Sequence, residues 1–169
     1  MMPVKLDKLD PEFKFRVAST PGGENVTRCF ACGTCTLSCP VREIDEKFNP
    51  RRIIHMILLG MKDEVLKSDF IWLCTACYAC SERCPQDVGI TDLMNALKNI
   101  AVEEGYVHPS YIEQVKALSQ FDGLYEISDY DNKKREKLGL PRIERKGVVL
   151  KSIMEKTGII GLAQQGGQE

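Results

Sequence analysis

Two short stretches hold every cysteine of this 169-residue chain: "CFACGTCTLSCP" at 29–40 and "CTACYACSERCP" at 74–85. Both read C-x2-C-x2-C-x3-C-P, and they agree at six of twelve positions, the cysteines together with Ala31/Ala76 and Pro40/Pro85. Thiolates are soft ligands that select zinc or iron–sulfur clusters. Three thiolates two residues apart wrap a tight loop around one face of an iron–sulfur cube. The fourth, three residues on, points away, and in two-box chains it ligates the other box's cluster. The spelling therefore implies two [4Fe–4S] clusters with exchanged ligands. Cys29, Cys32 and Cys35 take Cys84 as their fourth ligand, and Cys74, Cys77 and Cys80 take Cys39. One box alone leaves a cube short of a ligand, which explains why the pattern is written twice. Pro40 and Pro85 fix the backbone direction after each crossing ligand and remove an N–H.

Zinc is the competing occupant. Structural zinc sites pair two CxxC knuckles across a longer gap. The third close-set cysteine, the trailing Cys-Pro and the repetition favour clusters. Disulfides are disfavoured, because "MMPVKLDKLDPEFKF" has no apolar export signal and the expected compartment is the reducing cytoplasm.

Other chemistry is sparse. No G-x-G-x-x-G, P-loop or G-x-S-x-G is present, nor a C-x4-C-x2-C set for a [2Fe–2S] centre. No residue is assigned a catalytic role, and the chain is expected to carry electrons without transforming a substrate. His55 reads as a helix-surface residue and His108 as a turn residue. Trp72, the single tryptophan, serves packing, cluster shielding or both. Arg28, Arg42 and Arg83 neighbour the boxes as counter-charge or as solvated surface.

The elements that position the boxes read as helices. Asn49 is placed to cap a helix that begins at Pro50 and stops at Gly60, with Ile53, Ile54, Ile57 and Leu58 on one face. A short helix follows near 62–68. Thr91 is expected to cap a helix ending at Gly105, its face made of Leu93, Leu97, Ile100 and Ala101. "FKFRV" at 13–17 alternates and predicts a short strand. Helices are expected from Pro109 to Leu118, over 131–141 and over 148–157, and a frayed tail over 163–169. The fold class is mostly α, with an N-terminal arm at 1–25, a two-cluster domain at 26–108 and a helical extension at 109–169. That extension has only small apolar patches and is expected to dock a partner. A formal net charge of -1 without a Lys/Arg block argues against nucleic acid, and "IIHMILLGM" is too short to cross a membrane.

Helical connectors between the boxes, where a small bacterial ferredoxin has hairpins, resemble the α-helical ferredoxin domain. "CFACGTCTLSCPV", "NPRRIIHMILLG" and "IWLCTACYACSERCPQDV" together resemble the C-type iron–sulfur subunit of the heterodisulfide reductase of methanogenic archaea. That resemblance implies a complex. A flavin-containing partner bifurcates electrons, alongside a hydrogenase or formate dehydrogenase. The C-type chain relays one branch to a second partner. That partner carries CCG motifs and reduces the coenzyme M–coenzyme B disulfide. All eight cysteines match the family's ligands, and no CCG motif is present. A free ferredoxin-like carrier, or the relay of a related anaerobic oxidoreductase with another substrate, is the alternative.

Overall fold

The computed structural model describes residues 6–145 and 148–161, so the expected fraying at 163–169 lies outside the described residues. Among them are helices and turns but no strand. The chain divides into two compact units between Tyr106 and Val107.

The first unit is a set of short helices around one apolar core. They are α1 (Phe13–Ala18), α2 (Thr34–Leu37), α3 (Pro40–Ile44), α4 (Pro50–Leu58), α5 (Lys62–Leu66), α6 (Asp69–Leu73), α7 (Ala79–Glu82) and α8 (Ile90–Glu103). The α4 punctuation follows the expectation. Pro50 opens the helix, and the Asn49 side chain accepts a hydrogen bond from the Arg52 amide at 3.0 Å. Ile53, Ile54 and Ile57 face the core and are almost wholly buried. On α8, Leu93, Leu97, Ile100 and Ala101 form the buried face within the same core. Thr91, however, is not the cap of α8. Gly89, at φ 66°, holds that place, and Thr91 is the second helical residue, buried to 1% exposure. A left-handed glycine can turn the chain into the helix without a side-chain cap, which frees Thr91 for the box beside it.

The predicted strand at 13–17 is a helix instead. Phe13 and Val17, four apart, are both buried, while Phe15 is 53% exposed. Alternation over five residues marks the same outer positions as one helical turn, and burial of the i, i+4 pair decides between them. The N-terminal residues thus pack into the core with Val26, α4 and α8. Arg16 pairs with Glu104 and Lys62 reaches the same carboxylate at 3.0 Å, so α1, the start of α5 and the end of α8 meet at one point. These ions are partly exposed, and their contribution is of the order of 1 kcal/mol at most.

Gly60 shows how closely the N-terminal segment is held. Its φ is 76°, its carbonyl accepts from the Asp10 amide at 2.8 Å, and a Cβ there would lie 2.3 Å from the Asp10 carbonyl oxygen. Gly60→Ala is expected to cost at least the ~1–2 kcal/mol of a left-handed alanine, plus displacement of residue 10. A lowered thermal unfolding midpoint checks this, and an unchanged midpoint contradicts it.

The second unit holds α9 (Pro109–Phe121), α10 (Asp129–Lys137) and α11 (Val148–Lys156). α9 and α11 pack together, and Ile112, Val115 and Met154 are buried. α10 starts earlier than its charge pattern indicates, because Ser128 and Asp131 form a reciprocal capping box. Asn132, 6% exposed, clasps Ile143 by two hydrogen bonds of 2.9 and 3.3 Å. Leu124, Tyr125, Tyr130, Leu138 and Ile153 stay exposed.

Candidate metal centre

The two boxes have the same shape. The first and fourth cysteines of each (Cys29, Cys39; Cys74, Cys84) are half-buried, the second (Cys32; Cys77) is exposed, and the third (Cys35; Cys80) is buried. In each box the third cysteine lies in a one-turn helix, α2 or α7, and these two helices pack on each other. In each box the second and fourth residues after the first cysteine have positive φ: Ala31 at 65° and Gly33 at 85°, Ala76 at 51° and Tyr78 at 61°. Left-handed residues flanking Cys32 and Cys77 curl the loops in the way that turns backbone N–H groups toward a bound anionic group. Ala31, Ala76 and Tyr78 have no glycine's freedom, so each stores about 1 kcal/mol or more. Strain of this kind persists where the surroundings over-determine it, as at a ligand loop.

A second correspondence lies in side chains. The residue after the third cysteine carries a hydroxyl in both boxes. Thr36 donates to the Asn49 side chain at 2.8 Å, at the start of α4. The Ser81 hydroxyl donates to that of Thr91 at 3.1 Å and accepts from the Thr91 amide at 2.9 Å, at the start of α8. The loops are thereby tied to the starts of α4 and α8. Sequence reasoning missed these ties, although Thr36 and Ser81 are chemically similar at one box position.

The first box's fourth cysteine, Cys39, lies among thiols of the second box. A partly open cavity is lined by Cys74, Cys77 and Cys80 of the second box and by Cys39 of the first. The rest of its wall is Val41, Pro50, Phe70, Thr75, Ile90, Thr91 and Met94. Phe70 stacks on Phe48 at 5.3 Å, closing the apolar side. Phe70, not Trp72, therefore lines the cavity, while Trp72 packs on the core. On the first box, Cys29, Cys32 and Cys35 are neighbours, and Cys84 is half-buried against the same core as Cys29. Arg83, next to Cys84, donates to the Ser38 hydroxyl of the first loop at 3.4 Å. His55 is exposed on α4, and the His108 side chain caps the start of α9.

The thiols are tuned unequally. Burial pushes Cys35 up to about 11, with Cys29, Cys80 and Cys32 nearby acting in the same direction. Burial also raises Cys80, reinforced by Cys74, Cys77 and Cys39. The Thr34 hydroxyl, 3.4 Å away, lowers Cys32. Buried thiols of this kind ionise when metal takes the proton's place.

The arrangement fits a group with volume of its own. All eight cysteines are free thiols, and no three His, Cys, Asp or Glu among the described residues close on a single ion. One zinc ion would draw four thiolates to about 2.3 Å from a common point. A cube is held by thiolates spaced around it, and Cys39, Cys74, Cys77 and Cys80 line one cavity. Arg42 Nε is also buried with no protein acceptor, three residues past Cys39.

Comparison with known proteins agrees with this geometry. Residues 25–88 match the 4Fe-4S dicluster domain family, so the chain is a two-cluster [4Fe–4S] protein. It is 36% identical over 148 residues to the second C-type iron–sulfur subunit of the CoB–CoM heterodisulfide reductase of Methanocaldococcus jannaschii, covering 83% of this chain and 78% of that one. It is 36% identical to the C-type subunit of the H(2):CoB-CoM heterodisulfide,ferredoxin reductase of Methanothermobacter marburgensis, over 70% of this chain and 60% of that one. With the C-type subunit of the ferredoxin:CoB-CoM heterodisulfide reductase of Methanosarcina mazei it shares 38% identity over 72% of this chain and 74% of that one. The paired cysteine boxes, the helical frame and these relatives place the chain in the family of C-type iron–sulfur electron-transfer subunits of heterodisulfide reductases.

Proposed function

We propose that the chain relays single electrons between two partner proteins through its two cubes. The first is held by Cys29, Cys32, Cys35 and Cys84, and the second by Cys74, Cys77, Cys80 and Cys39. The observation that carries this reading is the presence of Cys39 in one cavity with Cys74, Cys77 and Cys80. The crossing brings the two boxes together, as a relay requires.

Each cube supplies a one-electron couple when bound. The protein's part is to hold and shield. Phe70, Ile90 and Met94 keep water from one side of the second cavity, and low polarity there tunes the potential. The hydroxyl ties fix each loop to a helix, so that little rearranges as charge arrives. Cys32 and Cys77 are exposed, which leaves each loop open toward solvent or a partner.

By likeness to its relatives, the donor is a flavin-containing protein of the same complex, served by a hydrogenase or formate dehydrogenase. The acceptor is a CCG-motif protein that reduces the coenzyme M–coenzyme B heterodisulfide in methanogenesis. The domain at 26–108 carries the relay, and residues 109–169 dock a partner. Support for the docking role is the apolar surface that α9–α11 leave exposed around a small core.

Anaerobic affinity purification from the native cells, with partners identified by mass, tests the assignment. A flavoprotein and a CCG-containing protein are expected to co-purify, and to be lost when the chain is cut after residue 144 while its iron is retained. A brown protein recovered alone, with two clusters, overturns the complex in favour of a free carrier.

A further inference from the structure

The boxes repeat each other in backbone, exposure and hydroxyl tie, but not in charge. In the first box, left-handed Gly33 lies beside Arg51: a Cβ on Gly33 would be 3.7 Å from Arg51 Nη1. The same nitrogen donates to the Ala31 carbonyl at 3.5 Å. At the matching place in the second box, the hydroxyl of left-handed Tyr78 donates to Asp92 Oδ1 at 3.5 Å. Arg51 is the second residue of α4, and Asp92 the third of α8, so both sit at the start of the helix tied to their box. A cation thus sits against the backbone of the first loop, and an anion meets the Tyr78 hydroxyl of the second. Arg83 adds a second cation to the first loop through Ser38. The second cavity has no charged side chain in its wall apart from what its cysteines carry.

We propose that Arg51 and Asp92 split the potentials of the two cubes, making the first-box cube the easier to reduce and the second-box cube the harder. This rests on the reading that each box holds a cube. Reduction adds one negative charge to a group already surrounded by thiolates. A guanidinium favours that state and a carboxylate opposes it, the more strongly the closer each lies within the screening length of about 8–10 Å. An electron delivered by a flavin-containing donor therefore enters at the second cube. It passes to the first, oxidising the second and reducing the first with no bond made and no proton moved. It leaves to a disulfide-reducing partner from the first box. Arg51 and Asp92 are positioning residues for charge and ligate nothing.

The test uses the full chain, purified anaerobically with its clusters, and redox titration followed by EPR. Cys32→Ser marks which signal belongs to the first box. In the unsubstituted protein the first-box signal is expected to titrate at the higher potential. Arg51→Gln is expected to lower that signal alone, moving the electron's partition between the cubes about tenfold, or about 59 mV for a one-electron couple. Arg51→Lys is expected to keep most of the difference, and Asp92→Asn to raise the second signal alone. Iron and sulfide are counted in every sample. A full complement with midpoints that do not move, with both moving together, or with the first box lower, overturns this proposal and leaves the two-cube relay standing. Less than two cubes' worth of iron in the unsubstituted chain overturns both.

Discussion

Cys84→Ser is expected to destroy or convert the first-box cube and to leave the second intact, although Cys84 lies in the second box. Cys74, Cys77 and Cys80 already share their cavity with Cys39, so the second cube keeps its four thiolates. The first box is left with three, Cys29, Cys32 and Cys35, and a serine oxygen is a harder, poorer ligand for iron. Iron content is expected to fall toward half, with one reduced-cluster EPR signal lost or altered and the other unchanged. Cys39→Ser is expected to give the mirror result. Loss of the second signal in Cys84→Ser would show that each box keeps its own fourth cysteine.

The largest loss of stability without touching a ligand is expected at Leu97. It is fully buried in the middle of α8, within the core that also includes Ile54, Ile57, Leu66 and Ile71. Leu97→Ala removes buried methyl groups and leaves a cavity, at a cost of about 2–5 kcal/mol. Asn95→Ala, on the exposed side of the same helix, is expected to change stability by less than about 0.5 kcal/mol. Cluster loss makes unfolding irreversible, so the comparison is best read as anaerobic inactivation half-lives at one elevated temperature. Equal half-lives for the two variants would contradict the central place of α8 in the core.

What is legible in the sequence is whatever local rules control. The α4 boundaries follow from Asn49, Pro50 and Gly60, each acting within a turn. The α8 face follows from the spacing of Leu93, Leu97 and Ile100. The likeness of the two boxes is readable because their cysteine spacing repeats. Other features depend on tertiary context. Residues 13–17 are helical because Phe13 and Val17 find the core, which alternation over five residues cannot reveal. Thr91 is not the cap its position suggests, because a side chain's role at a helix start depends on its partner, here Ser81. Phe70 lines the second cavity where the sequence offers Trp72 as a shield, because Phe70 is buried in the core beside that cavity while Trp72 is only partly buried. The opposite charges of Arg51 and Asp92 are visible as letters, but their equivalence emerges only once α4 and α8 lie against matching loops.

The sharing of Cys39 with a cavity whose other thiols begin at Cys74 also bears on how the protein is made. A chain leaving the ribosome presents Cys39 at least 35 residues before any of its companions, and the ligands must wait for one another. On the proposed ligand set, the second metal pocket is incomplete until the second box has been made. On that ligand set, iron delivery to the second pocket belongs after translation has passed the second box, and a nascent chain arrested between the boxes would hold thiols with no finished pocket.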